Sequence, residues 1–434
     1  MKKLLFLFKR LKSTFWFIPV LIIILSIFLS IGLVSLDQVV TLPHEGLARF
    51  FFVNSADSAR SILSTISGAM IGVASTVFSI TLVALTLASS QFGPRLIRNF
   101  MYVRLNQIVL GSYVSTYIYC LFVLNAIKES DGYTFMPSLS ILVAIIAAFI
   151  NILLLIVFIH QIATSIQADK VISDISDIIS NQFQSLYPDK MGEELTPETP
   201  LNVEFIKSEY LIQTPITSKK NGYIQYIDND ALLEAVSDLN AVLDLDFKPG
   251  NYIVDGLEIG LLYSNETLDE KQLESITNQF VIGKTKNAQQ DLEFSILQMV
   301  EIASRALSPG VNDPFTAITC IDNLTSTLCH LTQVKFPSNY RMDNDRHLRI
   351  ITEHLSFEDF LDSAFNQIRQ YSAGCTSVIL KLMDALITIN KFAKKAVYKQ
   401  ALIKHAEMVV NVGKASLKEK RDLDLLLVRS KAIL

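Results

Sequence analysis

The chain has 434 residues, 50% of them apolar and 18% charged, with a mean hydropathy of +0.37 and a formal net charge of −4. Soluble proteins carry about a quarter charged residues, and here the shortfall is local. Residues 1–160 hold 11 Lys/Arg against 5 Asp/Glu, whereas residues 161–434 hold 27 against 37. That division excludes a wholly soluble enzyme, a disordered chain and a secreted disulfide scaffold. The acidity of the larger half also argues against nucleic acid as a partner, because broad phosphate binding needs a basic surface.

Four stretches, residues 15–36, 62–88, 108–127 and 138–159, contain no Asp, Glu, Lys, Arg or His and match the roughly 20 apolar residues that cross a bilayer as a helix. The first follows Lys2, Lys3, Lys9, Arg10 and Lys12 as a signal peptide would. Its apolar core is too long for one and lacks a small-residue cleavage site, so a retained helix is expected. Basic residues precede the first stretch and lie between the second and third (Arg95, Arg98, Arg104). By the positive-inside rule both termini and the acidic half are then cytoplasmic.

The second stretch, at 27 residues, is longer than a span requires. Ser64, Gly68, Gly72 and Thr76 recur every fourth residue, continued by Ile80, Ala84 and Ala88, and a second row runs Ser67, Ile71, Ser75, Ser79. Small residues let helices approach closely inside lipid. The rows are either a packing face, within one chain or between chains, or a hydroxyl-lined pathway about an oligomer axis. Candidate pathway or packing residues are Ser64, Gly68, Gly72, Ser75, Thr76 and Ser79. With no charge inside the spans, a proton relay is not expected. Asn125 and Asn151, costly in lipid, are expected to bond across helices. Arg95 and Arg98 follow a Gly-Pro helix stop and share a face at i,i+3. They form an interfacial basic elbow, or a site for an anion or an acidic partner.

The helix leaving the fourth span is expected to continue past His160 to about Leu186, since Ile162, Ile166, Ile172, Ile175, Ile179 and Phe183 keep helical spacing. Residues 189–200 read as a polar linker. Strands follow: an Asn-Gly turn at 221–222 precedes alternating residues, and residues 230–240 are helix-like. Gly-Tyr-Ile at 222–224 with Pro-Gly at 249–250 looks like half of a barrel-sandwich module related to lipoyl domains. No Met-Lys pair sits at a hairpin tip, so a swinging cofactor is not expected.

From residue 267 on, the reading is helical, opening on a capping box with Thr267 as N-cap and Glu270 reaching back. In residues 303–317 a helix ends near Leu307, Pro-Gly turns the chain, Asp313 caps the next helix and Pro314 takes its first position. This is either a well-made helix connection or a ligand-binding corner in which Arg305, Ser308, Asn312 and Asp313 meet free backbone N–H groups. His347, His354 and Glu358 would share one face of a helix, where a solvated surface is favoured over a metal site. Cys120, Cys320, Cys329 and Cys375 form no CxxC pair and are expected reduced. Residues 414–422 are a charge run on a terminal helix, read as solvated. No Walker loop, GxGxxG, HExxH or GxSxG occurs, so no enzyme, catalytic residue, metal or cofactor is expected.

Several long motifs resemble one family. ALSPGVNDPFTAITCIDNL (306–324), preceded by QDLEFSILQMVEIA, is similar to the signature of the DUF2254 family of predicted bacterial membrane proteins. SILSTISGAMIGVASTVFSITLVALTLASSQFGPRLIRNF (61–100) is similar to that family's second span and elbow, as are GYIQYID and KPGNYIVDG to its later segments. Small departures are Gly93, where Ser is expected, and Tyr102-Val103 in the elbow. The resemblance implies a multi-pass bacterial membrane protein and supplies no activity.

The expected architecture is an α-helical membrane domain of four transmembrane helices (1–160), a helical extension (161–188), a β-rich cytoplasmic module (189–266) and a helical cytoplasmic domain (267–434). The expected place is the bacterial cytoplasmic (inner) membrane. The leading functional expectation is a homo-oligomeric channel- or transporter-like protein gated by its cytoplasmic domain. Its partners are the lipid bilayer, further copies of itself and an inorganic ion or small solute. The alternative is a membrane-anchored sensor or scaffold that binds a ligand or partner at the Arg305–Asp313 corner.

Overall fold

The computed structural model describes residues 14–39, 55–93, 104–130, 133–186 and 202–434. The chain divides into two compact units that meet in sequence at Lys170 and Val171. Arg95, Arg98 and the linker expected at 189–200 lie outside the described residues.

The first unit contains helices α1 (Phe17–Asp37), α2 (Ala56–Phe92), α3 (Arg104–Ala126) and α4 (Ser138–Ser165), each long and apolar enough to cross a membrane. A short antiparallel pair, β1 (Lys128–Ser130) and β2 (Tyr133–Phe135), joins α3 to α4. The α3 helix packs against the other three. It crosses α1 so closely at Gly111 that a Cβ there would lie 2.9 Å from the Pro19 α-carbon. The apolar contacts between α2, α3 and α4 gather Leu63, Met70, Tyr113, Val123, Ile141 and Phe158.

Several polar residues inside this unit bond across helices, although the buried Asn106 Oδ1 of α3 accepts no hydrogen bond among the described residues. The Asn151 side chain of α4 accepts from Ser112 Oγ (2.7 Å) and donates to Thr116 Oγ1 (2.8 Å), while Tyr113 donates to its backbone carbonyl (2.6 Å). This is the cross-helix role expected of an amide in apolar packing. Asn125 differs: it is exposed at the end of α3 and has no hydrogen-bond partner among the described residues. Pro137 precedes α4 and offers no side-chain cap. Asp37, at the end of α1, takes over that task, accepting from Leu139 N (2.9 Å), Ser140 N (3.0 Å) and Ser140 Oγ (2.6 Å).

The helix expected to leave the fourth span unbroken is two helices. The α4 helix ends at Ser165, residues 166–167 form a turn outside both helices, and α5 (Ala168–Leu186) begins. Thr164 and Ser165 turn their hydroxyls back onto the carbonyls of His160, Gln161 and Ile162, and Gln167 N bonds to Thr164 O three residues earlier. Such bonds tighten and end a last turn.

The second unit opens with α5, whose Ile172, Ile175 and Ile179 are buried, and α6 (Val203–Ser208). Then come β3 (Ile212–Thr217), β4 (Gly222–Ile227), α7 (Asn229–Asp238), β5 (Val242–Leu245), β6 (Tyr252–Ile253), β7 (Glu258–Ser264), α8 (Glu270–Thr277) and β8 (Phe280–Gly283). The α8 cap lies two residues later than expected: Asp269 is the N-cap and Gln272 closes the box. Asp at N-cap accepts as Thr would, and Gln reaches back as well as Glu, so the motif slides along Thr-Leu-Asp-Glu-Lys-Gln.

Helices α9 (Leu292–Ala306) and α10 (Pro314–Leu331) follow, then β9 (Tyr340–Met342) and β10 (Leu348–Thr352). The chain ends in α11 (Phe357–Tyr371), α12 (Thr376–Phe392), α13 (Ala396–Ser416) and α14 (Lys420–Ser430), which pack with α9 and α10 as a helical bundle.

The strands do not stop where the helices begin. A five-stranded sheet in the order β3-β7-β5-β10-β9 takes two strands from the 340–352 region, and β6-β4-β8 form a second sheet. The two halves of the barrel-sandwich motif do pair, Gly222 opposite Ile253 and Tyr223 opposite Tyr252. Helices α7 and α8 nevertheless pack into the same core as both sheets, through Leu232, Val236 and Ile276 beside Ile224, Leu243, Leu262 and Ile350. The result is a mixed α/β layer arrangement rather than the expected barrel-sandwich.

Candidate functional site

The 37-residue α2 helix is about 55 Å long by its rise per residue, well beyond a hydrocarbon core of about 30 Å. Its buried residues are Ala56, Ala59, Leu63, Ser67, Met70, Ala74, Val77, Thr81, Ala84, Ala88 and Phe92. They recur every three or four residues and face the bundle.

Ser64, Gly68, Gly72, Ser75, Thr76 and Ser79 are all exposed. At about 100° per residue they fall within an arc of about 120° on the opposite side of the helix. A Cβ on Gly68 or Gly72 would meet nothing within 4 Å. Thr76 and Ser79 donate to carbonyls four residues earlier, Gly72 O at 3.2 Å and Ser75 O at 2.9 Å. The Ser64 and Ser75 hydroxyls have no partner among the described residues.

The expected single stripe through Ala84 and Ala88 is not one face. A strict four-residue repeat drifts by about 40° per step on a 3.6-residue helix, so Ser64, Gly68, Gly72 and Thr76 look outward while Ala84 and Ala88 are buried. Ser67, expected in the second small row, is buried as well.

The corner between α9 and α10 uses its own polar groups. Asp313 is the N-cap, with Oδ1 accepting from Phe315 N (3.2 Å) and Thr316 N (3.1 Å) and Oδ2 from Thr316 Oγ1 (2.6 Å). The Thr316 hydroxyl, helped by those N–H groups, holds the Asp313 carboxyl below its ordinary range against the effect of burial. Asn312 sits at φ +50°. Its N–H donates to Ser308 O (2.9 Å), Asp313 N–H to Ala306 O (2.8 Å), and Ser308 Oγ to Arg305 O (2.7 Å). Arg305 lies half-buried in the last turn of α9. The corner's outer surface is apolar, Val311 being 52% and Phe315 77% exposed.

The trio His347, His354 and Glu358 does not share a helix. His347 lies in the turn after β9, His354 in the loop after β10, and Glu358 in the first turn of α11. Ile350 and Ile351 satisfy a strand as well as a helix, and pairing with β5 decides the matter. Among the described residues no three His, Cys, Asp or Glu side chains are grouped to hold a metal. The four cysteines are free, and burial pushes the Cys320 and Cys329 thiols up, away from a reactive thiolate.

One buried carboxylate went unnoticed at the level of sequence. Asp291 caps α9 through Oδ1, which accepts from Phe294 N (2.9 Å), but Oδ2 is buried without a partner. That oxygen packs on Gly250, where a Cβ would lie 2.1 Å from it and where φ is +95°. Burial pushes the Asp291 carboxyl up to about 6. Asp at an N-cap was legible from the helix pattern; its burial depends on a turn 41 residues earlier.

Comparison with known proteins adds a family-level match. The DUF2254 family, described as "Predicted membrane protein (DUF2254)", matches residues 12–388. The chain is 28% identical over 384 residues to "Uncharacterized protein Rv1290c" of Mycobacterium tuberculosis, covering 87% of this chain and 73% of that one. It has the same identity and coverage with "Uncharacterized protein Mb1321c" of Mycobacterium bovis. No solved structure matches the chain.

Proposed function

Since this chain belongs to the DUF2254 family of predicted membrane proteins, we propose that it is a homo-oligomeric channel- or transporter-like protein of the bacterial cytoplasmic (inner) membrane. Both termini and the second unit face the cytoplasm in this reading, as the Lys/Arg bias requires. The observation that carries it is the outward Ser64, Gly68, Gly72, Ser75, Thr76, Ser79 face of α2, which is exposed among the described residues. A lipid-facing surface gains little from glycine and serine, whereas a facing helix gains close approach and hydrogen bonds. Copies of α2 gathered about an axis would present hydroxyls and back-bonded carbonyls, groups that can replace part of an ion's hydration shell. No ionisable side chain lies within residues 62–88 to relay protons. No catalytic step belongs to the proposal.

Purified protein in liposomes loaded with different cations and anions tests this. Wild type should release at least one gradient, and Gly68→Leu or Gly72→Leu should change the flux. A folded, oligomeric wild type that releases none overturns the conducting role.

A second reading, a membrane-anchored sensor or scaffold, draws on the exposed Val311 and Phe315 at the α9–α10 corner. There Arg305→Ala or Phe315→Ala should abolish a binding event while assembly stays intact, and retained binding would discard the corner.

A further inference from the structure

The five-stranded sheet contains one parallel pair, β5 and β10, whose register ends with Leu245 opposite Thr352. Ligands of α/β sheets collect outside the carboxyl ends of parallel strands, where loops diverge and backbone groups are left open. Lys248 stands three residues past the end of β5, and His354 two residues past the end of β10. The antiparallel neighbour β9 brings Arg341 alongside, paired with Ile350. Tyr340 and Met342 pack on one side of the sheet with Val242 and Ile351. Alternation therefore turns Arg341 to the other side, the side of Ile350.

The charges gathered there are unbalanced. Arg341 is half-buried, and its hydrogen-bond partner among the described residues is an imidazole, with Nη2 3.3 Å from His354 Nε2. Among the described residues it has no carboxylate within ion-pair distance. Arginine can only donate, so Nε2 accepts and the ring proton sits on Nδ1, on the side where the Ser338 carbonyl acts as acceptor. Burial first, then the nearby Arg341 and Lys248 charges, hold His354 neutral, with a value near 4.

Lys248 is held in place by its turn: its N–H donates to Asn251 Oδ1 (2.9 Å), and Asn251 N donates back to Lys248 O (3.1 Å). The acidic group beside this turn is Asp291 of α9, which packs on Gly250 and is acted on by the Lys248 charge, although the two form no ion pair among the described residues. Two cations and a neutral histidine thus share a strand-end edge, with the Asp291 carboxylate beside Lys248 and none paired with Arg341 among the described residues. A guanidinium removed from water without a counter-charge is costly, and its remaining N–H groups form a fork that suits a tetrahedral oxyanion.

We propose that the carboxyl-end edge of the β5–β10 pair binds a phosphate-class oxyanion, with the Arg341 guanidinium as the fork, Lys248 as a second charge and His354 as the group that orients Arg341. The inference rests on the second unit alone and does not depend on conduction.

Inorganic phosphate titrated into the full-length protein in zwitterionic nanodiscs, at constant ionic strength, tests it by calorimetry. One saturable site per chain is expected. Arg341→Gln should weaken it at least about tenfold, as for loss of charge-assisted hydrogen bonds, and Lys248→Gln should weaken it less. Arg341→Lys keeps the charge but loses the fork, and should fall between wild type and Arg341→Gln. Thermal unfolding of each variant separates loss of the site from loss of the fold. Should Arg341→Gln fail to fold, Lys248→Gln carries the test, since it lies on a turn rather than in the sheet. Repeating the titration in anionic nanodiscs distinguishes sources. Weakened phosphate binding identifies a lipid headgroup as the ligand and unchanged binding a soluble one, and both support the site. Unsaturable binding in wild type, or equal affinity in folded Arg341→Gln and Lys248→Gln, overturns it.

Discussion

Among the described residues the α2 and α4 helices each keep one side exposed, and the two sides differ in chemistry. On α4 the uncovered residues include Phe149, Ile150, Ile152, Leu153 and Ile156, a surface that lipid tails solvate as well as any protein neighbour would. On α2 the central arc is Ser64, Gly68, Gly72, Ser75, Thr76 and Ser79. Hydropathy ranks both helices as apolar enough to cross a membrane, yet one surface suits lipid and the other suits a facing helix or a polar path. The glycines make the contrast within one unit: Gly111 is pressed against Pro19, while Gly68 and Gly72 meet nothing. On the proposed reading, a close-packing residue without a neighbour among the described residues takes one from a second copy.

That contrast is breakable. The largest effect is expected from Gly68→Leu together with Gly72→Leu. The chain should fold, because a Cβ there meets nothing among the described residues, but chemical cross-linking and native mass spectrometry should show the proposed assembly lost. Leu153→Ala on α4 should leave assembly unchanged, and equal behaviour of the two helices would end the comparison.

Asp291→Asn comes next and asks what a partnerless polar atom costs inside rather than outside. The folded carboxyl titrates near 6 instead of 3.8. Its contribution to stability is therefore fully present below about pH 3.8 and is lost as pH rises through about 6. Asn keeps the cap and removes the charge, so unfolding of the full-length variant should be harder by about 3 kcal/mol above pH 6 and little altered near pH 4. His354 works in the opposite sense. Its folded value near 4 lies below the ordinary 6.5, so its contribution is present above 6.5 and lost as pH falls towards 4. Between pH 4 and 6.5 the Asp291→Asn protein should accordingly gain more stability with rising pH than wild type does.

Gly111→Ala should destabilise the first unit by about 1–3 kcal/mol through overpacking, read as a lower thermal midpoint in detergent. Asn151→Leu should cost about 1 kcal/mol, the usual scale of a hydrogen bond between helices in lipid, and should leave the assembly intact. Loss of assembly there would mean that inward polar pairing, rather than the outward face, holds copies together.

Much of this architecture was legible from residues. The four apolar helices, the Pro-Gly turns, the Asp313-Pro314 helix start and the cross-helix use of Asn151 follow from local chemistry. What was not legible has a common cause. His347 and His354 keep helical spacing, but a strand forms between them because β5 waits more than 100 residues earlier to pair with it. Asp37 caps a helix that begins 101 residues later, which no window along the chain can reveal. The small-residue row on α2 was visible, but its outward direction was not, since a four-residue repeat drifts from one face to the other.

The placing of charge along the chain by itself determined four long charge-free stretches and the collection of most charges in the larger unit. It also determined that any work done along α2 falls to hydroxyls, carbonyls and close approach. Only the tertiary structure decided which side of α2 is free, that the helix breaks after Ser165, and that Arg341, Lys248 and His354 share a strand-end edge. The physical reason is that composition and periodicity set what each segment can bury, whereas direction and proximity are set by partners distant in the chain.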